Sequence, residues 1–295
     1  MDAYVARLCA EIQAFDFSGY AVQTIYLGGG TPSLLSTEQL QKIFAVLPTG
    51  AHEITLEANP NSFTPAKCRA WRALGVNRLS IGVQSFDDAT LRNLGRLHDV
   101  KQAFAAIKIA SLCFENLSID LIKDIPGHAF TLPPDDVLKQ IKHISIYSLT
   151  RDDQPVLETD EAVKLPRAFQ RYEVSNYARA GYESQHNLTY WTGGEYIGFG
   201  AGAHSLLNNQ RFHNSDSILT YHRIDDGERD AETARREQIM LGLRLRTGFE
   251  RSLLINKDAE IELLRSHGLI KLCGQKIIAT AKGIKLLNQL WLKLV

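Results

Sequence analysis

The sequence predicts an α/β protein built on a parallel sheet with crossover helices. Three observations predict it: β-rich runs ending near residues 30, 58, 83, 122 and 149, helical patterns between them, and glycine or polar residues at their carboxyl ends. A βα unit every roughly 25–40 residues fits both an open doubly wound sheet and a βα barrel, and either builds its site where those polar residues fall.

The elements follow in order. Tyr4, Leu8, Ile12 and Phe15 stand at helical spacing, so the series starts on an α-helix. Thr24 to Leu27 is a β-rich run closing on Gly28, Gly29 and Gly30. Ser36 and Gln39 form a capping box ahead of a helix with Leu40, Ile43, Phe44 and Leu47 on one face. Glu53 to Leu56 alternates apolar with polar residues and stops at Asn59-Pro60. Thr64-Pro65 supplies the next N-cap and first helical residue, and Gly75 the stop. Arg78 to Val83 reads as strand, with helical stretches from Asp87 and Val100. Leu117 to Ile122 is a strand before the Pro126-Gly127 turn, and a short helix, Asp135 to Lys142, leads to strand Ile144 to Leu149.

From about Pro166 the alternation breaks down. Glu173 to Ala178, His186 to Trp191 and the glycine-rich Ile197 to Ser205 read as loops and short strands. Arg235 to Leu245 is an amphipathic helix ended by Gly248. The tail reads as helix Asp258 to Ser266, a strand pair around Gly274 and helix Lys282 to Leu294, a winged-helix-like α+β order. The expected organisation is 1–165 as the sheet domain, 166–230 as a linking region with a His-Asn-x-x-Tyr-Trp segment, and 231–295 as a C-terminal domain.

Composition narrows the function. Of 295 residues, 44% are hydrophobic and 22% charged, with 33 basic against 33 acidic side chains, which excludes a disordered tail protein. The neutral total lacks the footprint of a non-specific nucleic-acid binder. A local excess remains in 251–295, eight Lys/Arg against three Asp/Glu, read as a solvated face. Cys9, Cys68, Cys113 and Cys273 match neither a disulfide framework nor Cys-x-x-Cys spacing. With no span-length apolar run and no secretory signal, a cytoplasmic protein is expected.

The Gly28-Gly29-Gly30-Thr31-Pro32-Ser33 segment removes side chains where backbone groups would approach a ligand, and it lacks both the Walker lysine and the third dinucleotide glycine. Glu57, Gln84 and Asp120 sit at or near strand ends and, with Arg96, suit ribose hydroxyls and an amino group. His186, Asn187, Tyr190 and Trp191, with His204 nearby, would line a flat aromatic ligand such as a tetrapyrrole, or form a structural loop.

Together these segments resemble the radical SAM proteins related to oxygen-independent coproporphyrinogen III oxidase. The likeness runs through Ile25-Tyr-Leu-Gly-Gly-Gly-Thr-Pro-Ser33, Leu56-Glu-Ala-Asn-Pro60, Gly75 to Phe86, Leu94-Gly-Arg-Leu-His98 and Ser118-Ile-Asp-Leu-Ile122. It continues through His143 to Tyr147, Tyr172 to Ala178 and Gly198 to Ser205. The His186 to Trp191 segment points to the family's heme-chaperone branch. The resemblance implies a partial (β/α)6 barrel holding S-adenosylmethionine, with Gly29, Gly30 and Thr31 on its methionine moiety. Glu57 and Arg96 would meet its amino and carboxylate ends, Gln84 and Asp120 its ribose, and Thr150 its nucleoside. It also implies heme as cargo, heme-receiving proteins met transiently at a membrane, and a [4Fe–4S] cluster that splits the sulfonium into a radical.

That family binds its cluster with Cys-x-x-x-Cys-x-x-Cys after its first strand, and no two cysteines here have that spacing. The first strand and the cluster ligands are therefore expected upstream of Met1, in a chain truncated or degenerate at the iron–sulfur site. Gly127-His-Ala replaces the family's Gly-Gln-Thr turn, and a helix between the His143 strand and Tyr172 is mostly lacking, which puts closure near a sixth strand in doubt. The expected function is heme trafficking without catalytic residues. The alternative is an active coproporphyrinogen oxidase-like radical SAM oxidoreductase.

Overall fold

The computed structural model describes residues 1–150 and 163–295. They form two compact units, one of residues 1–150, 163–170 and 175–184, the other of 171–174 and 185–295.

In the first unit α1 (Asp2–Ala14) precedes β1 (Thr24–Leu27), α2 (Thr37–Phe44), β2 (Glu53–Ala58), α3 (Pro65–Ala73) and β3 (Arg78–Gln84). Then come α4 (Asp88–Asn93), α5 (Val100–Ser111), β4 (Asn116–Lys123), α6 (Asp135–Gln140), β5 (His143–Ser148), β6 (Gln170–Arg171) and β7 (Asn176–Ala178). Strands β1 to β5 are parallel and adjacent in chain order, the arrangement the βα spacing predicts. Beyond β5 the parallel order stops, because β7 pairs antiparallel with it, and the sheet is not a closed barrel among the described residues.

Local chemistry starts the helices where expected. Ser36 and Gln39 exchange side-chain bonds with each other's backbone N–H, and the Thr64 hydroxyl accepts from Lys67 N. Strand alternation gives the sheet two unlike faces. Leu56, Leu79, Ile81, Val83, Leu117, Ile119, Leu121 and Ile144 form one, buried with helix residues Leu40, Trp71, Leu91 and Ile107. The other carries Glu53, Thr55, Arg78, Ser80, Ser118, His143 and Ser145, which are buried too.

The second unit holds α7 (Gln185–Trp191), an antiparallel sheet of β8 (His204–Leu207), β9 (Gln210–Asn214) and β10 (Arg223–Glu228), and α8 (Ala231–Gly242). A second antiparallel sheet combines β11 (Phe249–Glu250), β12 (Ile270–Cys273) and β13 (Lys276–Ala279), accompanied by α9 (Asp258–Ser266), α10 (Ala281–Ile284) and α11 (Leu287–Leu294). Ile239, Leu243, Phe249, Ile261, Ile277 and Leu290 lie in its core.

Three expectations need correction. His186 to Trp191 is helix, not loop or strand. Gly193, at φ +72°, stops it in a Schellman arrangement, with Gly194 N–H on Thr189 O at 2.8 Å and Gly193 N–H on Tyr190 O at 3.1 Å. Helix α8 starts earlier than Arg235 because the Asp230 carboxylate accepts from Thr233 N at 2.7 Å. The terminal helix is two pieces, α10 and α11, rather than one.

Gly248 turns the chain between α8 and β11 at φ +67°, where an added Cβ would lie 2.0 Å from the Ile277 carbonyl oxygen. Gly248→Ala is expected to cost about 3 kcal/mol, from backbone strain plus overpacking. A urea midpoint matching the parent's would refute that reading. No helix of the described residues is long and apolar enough to cross a membrane.

Candidate functional site

The polar face of the parallel sheet concentrates charge near the strand ends. Tyr26 on β1 donates its hydroxyl to Glu57 Oε1 on β2 at 2.6 Å, and Gly29 N–H donates to the same carboxylate. Burial pushes the Glu57 pKa up; the Tyr26 hydrogen bond opposes this and the charge of Asp120 adds to it. Asp120 on β4 receives Ser80 Oγ, 3.2 Å from each carboxylate oxygen, and a further hydrogen bond from Ser145. Desolvation raises the Asp120 pKa as well, although part of the residue stays open at the rim.

Arg78 lies beneath this pair, 1% exposed, and its charge acts on Tyr26, Glu57, Asp120 and His143. Its Nε and Nη1 have no hydrogen-bond partner among the described residues. The His143 ring nitrogen Nδ1 contacts Ser118 Oγ at 2.8 Å; burial, then Arg78, holds this imidazole well below its usual pKa and therefore neutral.

The loop after β1 is fastened to the end of β2. Asn59 Nδ2 donates to Thr31 Oγ1 at 3.2 Å, Ser62 Oγ donates to the buried Ser33 Oγ at 2.6 Å, and Lys67 Nζ donates to Ser33 O at 2.8 Å. A Cβ on Gly28 would lie 2.6 Å from the Tyr26 ring and 2.9 Å from the Glu57 carboxyl carbon, so the Tyr26–Glu57 bond requires glycine there. Above Gly29 and Gly30 the space is open.

Gln84 ends β3 at φ +67°, beside an irregularity in the β3–β4 register. Its amide nitrogen and Asn59 Oδ1 lie 2.8 and 3.4 Å from the point a Gly82 Cβ would occupy, so the two amides share that space. Arg96 lies on the loop after α4. His98 Nε2, 3.0 Å from Val83 O, ties this loop to the end of β3, and Arg96 Nε is buried with no hydrogen-bond partner among the described residues. Thr150 lies exposed just past β5. Hydrogen bonds thus join Gly29 to Glu57 and Thr31 to Asn59, the charges of Glu57 and Asp120 act on each other, and Gln84 and Asn59 both border the Gly82 backbone.

In the second unit α7 presents His186 and Tyr190 one turn apart, with His186 Nε2 on Tyr190 Oη at 2.8 Å. The Tyr190 ring meets Tyr196 edge-on at 4.7 Å, and the Arg244 guanidinium lies 4.3 Å from the Trp191 ring centre. Asn187 is half-buried on the same helix, and no residue of α7 is fully buried. His204 stands exposed on β8.

A model of the radical SAM superfamily matches residues 5–129. The heme chaperone HemW of Lactococcus lactis is 31% identical over 99% of this chain and 89% of its own length, and that of Bacillus subtilis 31% over 92% and 84%. The chain belongs to the HemW family of radical SAM proteins. The Escherichia coli HemW is 39% identical over 70% of this chain and 62% of its own. The Lactococcus alignment spans 340 positions, more than the 295 residues here, so that relative holds residues with no counterpart in this chain. Among solved structures, Escherichia coli coproporphyrinogen III oxidase, a radical SAM enzyme, superposes with a TM-score of 0.76 over 99% of this chain and 82% of its own at 19% identity, a likeness of fold.

The superfamily's cofactors meet two different fits here. Open backbone at Gly29 and Gly30, the unpartnered Arg96 Nε and the desolvated carboxylates suit a ligand with amino, carboxylate and hydroxyl groups, as S-adenosylmethionine has. This chain's own cysteines do not suit a [4Fe–4S] cluster. They lie on α1, α3, β12 and just after α5, and no cysteine joins a metal-ligand grouping among the described residues. Burial, with the Cys113 thiol beside it, pushes Cys68 up to about 12, so it stays protonated.

Sequence reasoning missed Tyr26, Arg78, Ser80, His98 and Ser145. The signal was present as period-two polarity in Arg78-Leu-Ser-Ile-Gly-Val-Gln84.

The raised Glu57 pKa has a pH consequence. A carboxyl with a folded pKa above its unfolded value stabilises fully below the unfolded value, and that contribution is lost as pH rises through the folded one. Glu57→Gln keeps an acceptor for Tyr26 and removes the ionisation. Its stability is therefore expected to gain on the parent's as pH rises from about 4.5 toward neutrality and beyond. A stability difference that stays flat across that range would sink this account.

Proposed function

We propose that this chain is a heme chaperone that binds S-adenosylmethionine on the rim of its first unit and carries heme at α7 of its second. The observation that carries the heme reading is α7 itself. Its helical spacing brings His186 and Tyr190 together on an incompletely buried aromatic helix, in a chain aligned over nearly its whole length with a heme chaperone. Burial, then Tyr196, pushes the Tyr190 phenol up to about 12, so it is neutral near neutral pH. The imidazole of His186 is then the iron ligand, and Tyr190 orients it through the Nε2 contact. The Trp191 ring supplies a flat apolar wall, and its buried Nε1 has no hydrogen-bond partner among the described residues. Asn187 lies beside them.

On the first unit, backbone groups of Gly29, Gly30 and Thr31 would hold the methionine moiety. Glu57 and Arg96 would hold its charged ends, Gln84 and Asp120 the ribose, and Thr150 the nucleoside. S-adenosylmethionine would bring the sulfonium centre of the superfamily. These side chains orient it and replace its water with desolvated polar groups. No radical step is assigned to the thiols of this chain. Four unpaired cysteines support a reducing cytoplasmic setting. The partners are heme and the proteins that receive it, met transiently at the membrane.

Heme titration of the full chain, followed at the Soret band, tests the reading. His186→Ala is expected to shift that band and weaken binding at least about tenfold, as loss of a metal ligand does. An unchanged band and affinity in His186→Ala would remove α7 as the heme site, and no binding by the parent would remove the function.

A further inference from the structure

The second unit holds another group of ligand-type side chains, on its first antiparallel sheet. His204 on β8 stands directly opposite His213 on β9, and their rings stack with centroids 5.1 Å and planes 21° apart. The third member comes from β10. The β9–β10 register slips between Asp225 and Gly227, leaving Asp226 as the extra residue of a bulge. A bulge re-aims the side chain it carries. The Asp226 carboxylate oxygens lie 2.8 and 2.9 Å from His213 Nδ1. One ligand atom from each of the three residues lies within 4.8 Å of the other two, and no other such grouping of His, Cys, Asp and Glu occurs among the described residues.

We propose that His204, His213 and Asp226 bind a divalent transition-metal ion of the zinc type. Two imidazoles and a carboxylate are a recurrent donor set for zinc, and three protein ligands leave a position for water. Imidazole donors favour zinc, cobalt or nickel over magnesium and calcium, and the lack of thiolate disfavours soft ions. Bonds of about 2.0–2.2 Å put donor atoms on one ion about 3–4 Å apart, so the widest separations must contract by roughly 1 Å while the 2.8 Å contact of His213 Nδ1 with Asp226 opens slightly. The exposed His204 and Asp226 and the half-buried His213 leave room for the side-chain rotation this needs.

Cobalt(II) titration of the full chain, freed of metal with a chelator, provides the test. We expect one ion per chain, visible ligand-field bands without thiolate charge transfer, and displacement by zinc. His204→Ala removes an exposed side chain and should leave the circular dichroism unchanged while weakening cobalt binding at least about tenfold, as should Asp226→Asn. Absence of stoichiometric binding overturns the proposal, and so does affinity that survives His204→Ala. Thiolate bands abolished by Cys273→Ser would overturn it too, by moving the ion to the exposed cysteine. Heme binding is scored separately at the Soret band, so failure of one site does not count against the other.

Discussion

Arg78→Met is expected to destabilise the first unit by about 3–5 kcal/mol, the range for breaking a buried charge arrangement by removing one partner. Arg78 begins β3, pairs in register with Thr55 and Asn116, and is 1% exposed. Its charge favours ionised Glu57 and Asp120, both of which burial already drives toward the neutral form. Without it their pKa values rise further. Raised carboxyls stabilise at low pH and lose that contribution as pH rises through the folded value, so the variant's deficit should widen from about pH 5 to about pH 8. His143 moves the other way, since Arg78 helps depress its pKa, but burial is the larger cause there and the imidazole stays neutral. Combining Arg78→Met with Asp120→Asn should cost less than the sum of the two, because the double variant leaves only Glu57 of the two carboxyls that Arg78 offsets. Urea unfolding of the three variants checks this. A single variant within ~1 kcal/mol of the parent would mean water reaches Arg78 and the buried-charge account fails.

Legibility in the sequence followed the range of the interaction concerned. Caps act over three residues, so Ser36-Gln39 and Thr64-Pro65 located α2 and α3 directly. The βα alternation, a property of spacing, placed β1 to β5 and the rim residues Glu57, Gln84 and Asp120. Helix α7 escaped because it is seven residues long and rich in polar and aromatic side chains. Its stop signal, Gly193-Gly194, is the local mark of a Schellman end that the sequence carries.

The buried polar layer was harder to see for a different reason. Arg78, Ser80 and Gln84 alternate with Leu79, Ile81 and Val83, a pattern that normally means a strand with one wet face. In the folded sheet that face is buried too, with Thr55, Ser118 and His143 of the neighbouring strands beside Arg78 and Ser80, and no single strand shows this. The His204, His213 and Asp226 grouping was out of reach altogether. It needs the His204–His213 register and the bulge at Asp226, and neither can be read along a single strand.

Gly28→Ala and Gly30→Val are expected to fail in different ways. A methyl at Gly28 meets the Tyr26 ring at 2.6 Å and the Glu57 carboxyl at 2.9 Å, so the hydrogen bond closing the β1–β2 rim must open. Overpacking of that kind costs about 1–3 kcal/mol, and Gly28→Ala should lose stability along with S-adenosylmethionine binding. At Gly30 nothing lies within 4 Å of an added Cβ and φ is not positive, so the valine should be accepted by the folded chain. That same open space is where the methionine moiety would lie against the backbone. Gly30→Val should therefore keep the parent's urea midpoint and weaken S-adenosylmethionine binding at least about 30-fold, or ~2 kcal/mol. Equilibrium dialysis measures the affinity and unfolding the stability. If Gly30→Val binds as the parent does, the glycines serve the turn alone and the rim is not the cofactor site. If it loses both properties, Gly30 belongs to the fold as Gly28 does. Only retained stability with lost affinity separates a glycine the protein needs from one the ligand needs.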